Sequence, residues 1–561
     1  MEQLIQLTID GVSVEVPAGT TVLEAAKKAG INIPTLCYLK DINQIGACRL
    51  CVVDTGARAL QAACVLPVTP NMVVKTNTPA IRKARKTNLE LLLSNHDKRC
   101  LTCPRNQKCE LQTLCNELGV EDGDRFAGAV TKHEIDDLSP SIVRDNNKCV
   151  LCRRCIAACN KTQAVGVIGP VNRGFMTSVE SPWNLKLAEM SCINCGQCIA
   201  ACPVGALYEK DGTQQVWDLL ADPKKHVVVQ PAPAVRAALG EEFGMEIGSL
   251  VTGKMAAALR RLGFDKVFDT DWAADLTIME EGTELISRVT KGGVLPMMTS
   301  CCPAWVTYLE RNYPELKDHL SSCKSPQQMM GAVMKTYGAE LNKEEPAKLF
   351  SVSVMPCTCK EFECSREEMK DSGYQDVDAV LTTRELAWLI KDMGIDFNAL
   401  PDEEFDNPLG DYTGAGNIFG VTGGVMEAAI RTGYELITGQ PIPALDVTPV
   451  RGTEGFRIAN IQVGDLTLKV GVVTGLKNVV PVMEAIKAGT CDLHFIEVMT
   501  CPEGCVSGGG QPKLLVDTDR AEAYAARRAN TFVHDKELPL RKSHENPSIK
   551  KIYDEFLHEP N

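Results

Sequence analysis

At 561 residues the chain exceeds what one hydrophobic core organises, so roughly two to four domains are expected. Hydrophobic residues make up 44% and charged residues 23%, ordinary globular usage that argues against a disordered or membrane-embedded chain. The formal charge of -13 and a pI near 5.3 argue against nucleic acid as a partner, because phosphate binding calls for a basic face.

Met1 to Gly11 alternates polar and apolar residues and lacks the charged-then-apolar pattern of a secretory leader. No run approaches the ~18 apolar residues of a membrane span, so the expected location is cytoplasmic. Leu4 to Ile9 and Val12 to Val16 alternate about Asp10-Gly11, the mark of a tight hairpin. Thr21-x-x-Glu24 reads as a capping box opening a helix through Ala29, with Gly30 ending it. Strand, strand, helix and a cysteine loop predict a β-grasp domain over residues 1–78. In the next module, 79–119, Ile81 to Leu93 reads as an amphipathic helix. Leu89, Leu92 and Leu93 lie on one face, and Arg82, Lys83, Arg85 and Lys86 on a solvated one. A polar stretch, Asp136 to Ser141, leads into a cysteine-rich module over 139–209. From 210 to 561 apolar strands alternate with helices: Val227 to Val229, Phe350 to Val354, Leu468 to Val473 and Phe495 to Val498. That pattern predicts an α/β domain with largely parallel sheets. Two of these strands run straight into cysteines, at Met355-Pro356-Cys357 and Val498-Met499-Thr500-Cys501, and open α/β sheets place their sites at such carboxyl ends.

Twenty-five cysteines in a reducing compartment point to metal rather than disulfides. Cys37, Cys48, Cys51 and Cys64 form C-x10-C-x2-C-x12-C, with Gly46 and Ala47 leaving backbone room. The set resembles the plant-type 2Fe-2S pattern with altered spacings; zinc on two separated cysteine pairs is the alternative. His96, Cys100, Cys103 and Cys109 also offer ligand types that suit zinc. They resemble the one-histidine, three-cysteine 4Fe-4S module shared by FeFe hydrogenases and the large iron-sulfur subunit of respiratory complex I. The runs Cys149, Cys152, Cys155, Cys159 and Cys192, Cys195, Cys198, Cys202-Pro203 resemble the two halves of a bacterial ferredoxin. In that pattern the fourth cysteine of each run reaches the other cluster. Cys149, Cys152, Cys155 and Cys202 then hold one cubane, and Cys192, Cys195, Cys198 and Cys159 the other.

These modules predict electron transfer and leave the chemistry open. Three later segments bear on it: Thr299-Ser300-Cys301-Cys302-Pro303, Met355-Pro356-Cys357-Thr358-Cys359-Lys360, and Glu497-x-Met499-x-Cys501-x3-Cys505 running on to Gly508-Gly509-Gly510-Gln511-Pro512. They are similar to the signature segments of FeFe hydrogenases, and with the upstream modules the resemblance covers essentially the whole chain. It implies one 2Fe-2S cluster, three accessory 4Fe-4S clusters and one H-cluster, a 4Fe-4S cubane joined to a two-iron subsite with carbonyl, cyanide and an amine-bearing dithiolate. By that resemblance Cys302, Cys357, Cys501 and Cys505 hold the cubane, Cys505 bridges to the subsite, and Cys301 is a non-ligating thiol that relays protons. The path continues through Glu281, Ser321, Glu284 and Arg288. Glu281 and Glu284 are three apart and share a face if helical, where a solvated face is the ordinary alternative. Lys360 is implied as a donor to iron-bound cyanide, Ala232 and Pro233 as pocket wall, and Met355 and Met499 as polarizable filler. Ala304 and Met298 depart from the family pattern without removing a ligand. Cys323, Cys359 and Cys364 are additional thiols expected to be buried and inert.

The implied activity is reversible conversion of H2 into protons and electrons. Ferredoxin, or flavin and iron-sulfur subunits that oxidise NAD(P)H, are the implied electron partners, and maturation proteins supply the subsite. Asp446 to Gly475 and Pro502-Glu503-Gly504 look closer to complex-forming members. Lys542 to Asn561 stops where many relatives continue with a short tail. A non-catalytic electron-conducting subunit and an H2 sensor are the rival readings.

Overall fold

A computed structural model describes residues 3–515 and 518–560, so the first two residues of the Met1–Gly11 stretch and the last of Lys542–Asn561 lie outside it. Contacts divide the chain into two units. One comprises Met1–Cys192, Ala201–Tyr208 and Lys513–Thr518; the other comprises Ile193–Ala200, Glu209–Pro512 and Asp519–Asn561.

In the first unit, Leu4–Ile9 pairs antiparallel with Val12–Pro17 and parallel with Val73–Val74. Asp10 and Gly11 both adopt positive φ, 47° and 87°, which the two-residue hairpin turn demands. Alternation sends Ile5, Leu7, Ile9, Val14 and Val16 into a core with Val22, Leu23, Ala25 and Ala26 of the helix Val22–Lys28. Thr21 caps that helix by accepting from Glu24 N at 3.3 Å. The expected capping box is corrected in its second half: the Glu24 carboxylate accepts from the Tyr38 hydroxyl at 2.5 Å. The helix Pro79–Leu93 buries Ile81, Leu89 and Leu93. Its basic face is corrected at Arg85, which is buried and donates to the Val52 carbonyl at 2.9 Å.

Among the described residues the second unit holds two four-stranded sheets. In the first, Lys266–Val267, His226–Pro231, Leu349–Met355 and Ala379–Thr382 lie side by side, all parallel. In the second, Met297–Met298, Phe495–Met499 and Leu466–Thr474 are parallel, and Phe456–Val463 closes the edge antiparallel. Val228, Val229, Val352, Val354, Ile496 and Val498 are buried almost completely, because helices covering a parallel sheet make continuous apolar runs the stable solution. Between the strands runs the 22-residue helix Thr270–Lys291, opened by the Asp269 carboxylate accepting from Asp271 N. Buried polar anchors hold the C-terminal segment: Arg527 donates to the Glu241 carboxylate at 2.6 and 2.7 Å and to the Val506 carbonyl at 2.8 Å. No helix among the described residues is long and apolar enough to cross a membrane.

Candidate active site

The cysteine sets of the first unit converge. Cys37, Cys48, Cys51 and Cys64 are all buried, with Cys37 in hydrogen-bond contact with Cys48 and Cys64, and Cys51 with Cys64. Cys48 and Cys64 pull the Cys37 thiol far down, while Cys37 and Cys51 push Cys64 far up. His96, Cys100, Cys103 and Cys109 line a common cavity of about 460 Å³. The His96 Nδ1 is buried without a hydrogen-bond partner among the described residues, and burial followed by the Lys148 charge holds the ring neutral, at about 4. A neutral imidazole with an orphaned nitrogen is the state a metal ligand needs. At Gly205 a Cβ would sit 2.5 Å from Cys103 Sγ, so glycine admits that thiol. Cys149, Cys152, Cys155 and Cys202 line a third cavity. Asn43 donates to the carbonyls of both Cys37 and Cys152, at 2.8 and 3.0 Å, tying two of these sites together. Cys159 and Cys192 belong to the first unit, and Cys195 and Cys198 to the second.

The second unit gathers its chemistry at the carboxyl ends of four strands. His226–Pro231 runs into Ala232-Pro233, Leu349–Met355 into Pro356-Cys357, Met297–Met298 into Thr299 to Cys302, and Phe495–Met499 into Thr500-Cys501. Their ends meet around a cavity of about 90 Å³ whose wall includes Ala232, Pro233, Cys301, Cys302, Met355, Cys357, Lys360, Met499, Cys501 and Cys505. Burial and then the Cys302 charge push the Cys357 thiol up to about 11; burial, Cys357 and Cys302 push Cys505 up to about 12. Thiols that resist ionising together in an apolar cavity fit a cationic iron cluster, which coordinates thiolates and removes that mutual repulsion. Glycines make the close approach possible: a Cβ on Gly508 would lie 2.1 Å from the Pro356 carbonyl oxygen.

Lys360 is nine-tenths buried. Its ammonium donates to Glu363 at 3.0 and 3.2 Å and to the Cys301 carbonyl at 3.1 Å. Burial opposes its charge, yet Glu363 overrides this and holds the pKa above the ordinary lysine value.

Glu281 and Glu284 lie on the helix Thr270–Lys291. The solvated-face alternative is corrected, for both are buried. Glu284 is fully engaged: it accepts from Arg288 at 2.6 and 3.1 Å, from the Ser321 hydroxyl at 2.9 Å and from Ser322 N at 3.0 Å. Neither carboxylate oxygen of Glu281 has a hydrogen-bond partner among the described residues. Burial raises Glu281 to about 8; the Ser321 hydroxyl lowers it somewhat and the Glu284 carboxylate raises it. Burial followed by the Glu281 charge also pushes the Cys301 thiol well above its ordinary value. Of the additional thiols, Cys359 is fully buried as expected. Cys323 and Cys364 are corrected to half-buried, and Cys323 Sγ lies 3.9 Å from Glu284.

Four residues of this site escape the sequence reasoning. Glu363 could have been found from its i, i+3 spacing to Lys360. Thr500, which accepts from the Cys302 thiol at 3.2 Å, Gln327 on the cavity wall, and Gln197, which donates to Cys501 Sγ at 3.3 Å, carry no local signal of their role.

Thiol-lined cavities in one unit and a cysteine-walled cavity at strand ends in the other define an iron-sulfur oxidoreductase. The family model for the iron-only hydrogenase large subunit, C-terminal domain, matches residues 225–509, and that for the iron hydrogenase small subunit matches 521–561. Residues 2–79 match a 2Fe-2S iron-sulfur cluster binding domain, 85–124 the NADH-ubiquinone oxidoreductase-G iron-sulfur binding region, and 148–206 a 4Fe-4S dicluster domain. The chain is 51% identical to the NADP-reducing hydrogenase subunit of Solidesulfovibrio fructosivorans, over 99% of this chain and 96% of that protein. It is 40% identical to iron hydrogenase 1 of Clostridium pasteurianum, over 99% and 97%. A variant FeFe hydrogenase structure from Chlamydomonas reinhardtii matches with a TM-score of 0.56 at 43% identity, over 63% of this chain and 96% of that chain. The chain belongs to the iron-only hydrogenases. It is an oxidoreductase that interconverts H2 with protons and electrons at an H-cluster domain, and it carries accessory iron-sulfur domains. The separate match over 521–561 was not legible as a module of its own.

Proposed function

We propose that this chain is the hydrogen-converting subunit of a cytoplasmic, NAD(P)-linked complex, exchanging electrons with ferredoxin or with flavin and iron-sulfur partner subunits. Its similarity to an NADP-reducing hydrogenase subunit supports this. In this reading 1–78 holds one 2Fe-2S cluster on Cys37, Cys48, Cys51 and Cys64, and 79–119 a 4Fe-4S cluster on His96, Cys100, Cys103 and Cys109. Residues 139–209 hold two cubanes on the ferredoxin cysteines. In 210–561 Cys302, Cys357, Cys501 and Cys505 hold the H-cluster. The observation that carries the reading is the meeting of those four thiols with Cys301 and Lys360 on one cavity.

When bound, the H-cluster supplies an open iron position for heterolytic H2 cleavage and, on its dithiolate amine, a first base. The chain then moves the proton. Cys301 relays it, its S–H proton passing to Glu281 as its sulfur takes the incoming one, and Glu281's pKa of about 8 makes both of its protonation states reachable near neutrality. From Glu281 the Ser321 hydroxyl hands it to Glu284 by accepting one proton and donating another, as its 2.9 Å bond to Glu284 allows. Arg288 keeps Glu284 oriented at the outer end. Lys360, held charged by Glu363, would supply a charge-assisted donor to a cyanide of the bound subsite.

Protein expressed with its maturation proteins is expected to hold about 20 iron atoms, summing one 2Fe-2S, four cubanes and a two-iron subsite. Without them it should keep its iron-sulfur signals and lack hydrogen activity. Activity in unmatured protein would overturn the H-cluster assignment. H2-dependent NAD(P)+ reduction should need added flavin subunits, and reduction by the isolated chain would overturn the partner assignment.

A further inference from the structure

We propose that Gln197 is a positioning residue that raises the reduction potential of the cubane held by Cys501, and so favours electron arrival at the catalytic cluster. The inference rests on the assignment of Cys501 as a cubane ligand. Gln197 lies between Cys195 and Cys198 in a short segment of the second unit, and its side chain is buried. The amide Nε2 donates to Cys501 Sγ at 3.3 Å and to the Ser507 carbonyl at 3.1 Å. A carbonyl oxygen only accepts, so Ser507 dictates which end of the amide faces the sulfur, and that end is the donor.

The segment has little freedom to retreat. Thr358, beside Cys357, donates its hydroxyl to the Asn194 carbonyl at 2.7 Å. Gly196 and Gly509 meet backbone to backbone: a Cβ at 509 would lie 2.6 Å from Gly196 Cα, and one at 196 would lie 2.9 Å from Gly509 Cα. Gln197 is therefore clamped against both the Cys357 and the Cys501 segments. When one electron enters the cubane, no proton accompanies it and negative charge on the ligand sulfurs grows. An N–H aimed at one of those sulfurs stabilises the reduced state more than the oxidised one, which raises the potential.

The test is an EPR-monitored redox titration of protein made without maturation proteins, in wild type, Gln197→Leu and Gln197→Glu. The cubane signal is identified as the one missing from Cys357→Ser. In Gln197→Leu that signal should titrate at lower potential, with its reduction equilibrium weakened on the order of tenfold, ~59 mV for a one-electron couple. Gln197→Glu keeps the side-chain length and turns an anion toward the sulfur, so its midpoint should lie lower still. The 2Fe-2S midpoint should stay in place in both. Unchanged cubane midpoints, or an equal shift of every cluster, would overturn the role of Gln197, and if Leu destabilises the fold the Glu variant alone decides. If Cys357→Ser loses no signal, the ligand assignment fails instead.

Discussion

The two sides of the catalytic cavity are built from different materials. On one side the segment Asn194 to Gln197 meets the ligand loops through paired glycines, a threonine hydroxyl and a neutral amide. On the other, the proposed path runs from Cys301 through Glu281, Ser321, Glu284 and Arg288, where Glu284 is engaged by its neighbours and Glu281 has no hydrogen-bond partner among the described residues. An electron needs a short gap and fixed dipoles, and no atom has to travel. A proton needs a donor and an acceptor at every step, each with a pKa within reach of the next. Close packing suits the first task, and a buried carboxylate with no hydrogen-bond partner among the described residues suits the second.

Removing the centre should erase both sides together. Cys505→Ser is expected to abolish H2 turnover and the infrared bands of iron-bound carbonyl and cyanide, while leaving the 2Fe-2S EPR signal. Retained bands would mean that Cys505 does not hold the subsite. Cys301→Ser should break the proton side alone, since a hydroxyl is far less acidic than a thiol. The infrared bands stay, and dye-linked H2 oxidation and D2–water isotope exchange both fall, by ~10²–10⁴-fold for a lost acid–base group. Gly509→Ala should break the electron side: the new methyl meets the Gly196 backbone and pushes the segment away. Dye-linked oxidation is then expected to drop about tenfold, the cost of roughly 1.4 kcal/mol at the barrier. Isotope exchange requires no net electron flow and should persist. If Cys301→Ser and Gly509→Ala depress the same measurements equally, the division between the sides is wrong.

Legibility along the chain followed the physical range of the constraint. Closely spaced sets such as Cys149, Cys152 and Cys155 line one cavity, so spacing alone announces them, and the hairpin at Asp10-Gly11 is announced by its turn. The cysteines of the second unit's cavity come from strand ends nearly 200 residues apart in Cys302 and Cys501, which only the family resemblance joined; periodicity showed no more than that strands ran into cysteines. Arg85 and Glu281 were harder still, because a basic or acidic residue on a helix reads as solvated until the packing partners are known. Gln197 was hidden in plain view inside a cluster motif. Its neighbours were explained as ligands, and its own partners, Cys501 and Ser507, lie about 300 residues on.

The smallest expected effect tests the proton side without catalysis. Glu281 has a folded pKa of about 8 against an ordinary 4.5, so between those values the folded chain binds a proton that the unfolded chain has released. Stability then falls as pH rises through that window, because its slope with pH follows the protons bound unfolded minus those bound folded. This contribution is fully present below about 4.5 and gone above about 8. Glutamine keeps the shape and stays neutral, so it mimics the protonated carboxyl throughout. Glu281→Gln should therefore match wild type at the acid end and exceed it at the alkaline end, by at most a few kcal/mol. Other buried carboxyls, Glu497 among them, titrate in the same range, so the difference between variant and wild type is the quantity to follow. Measured as apparent thermal midpoints of unmatured protein at a fixed scan rate, the variant should gain a few degrees on wild type between pH 6 and pH 8.5. A gap that stays constant across that range would mean that Glu281 is ionised throughout, and its place as a neutral-pH relay would fall with it.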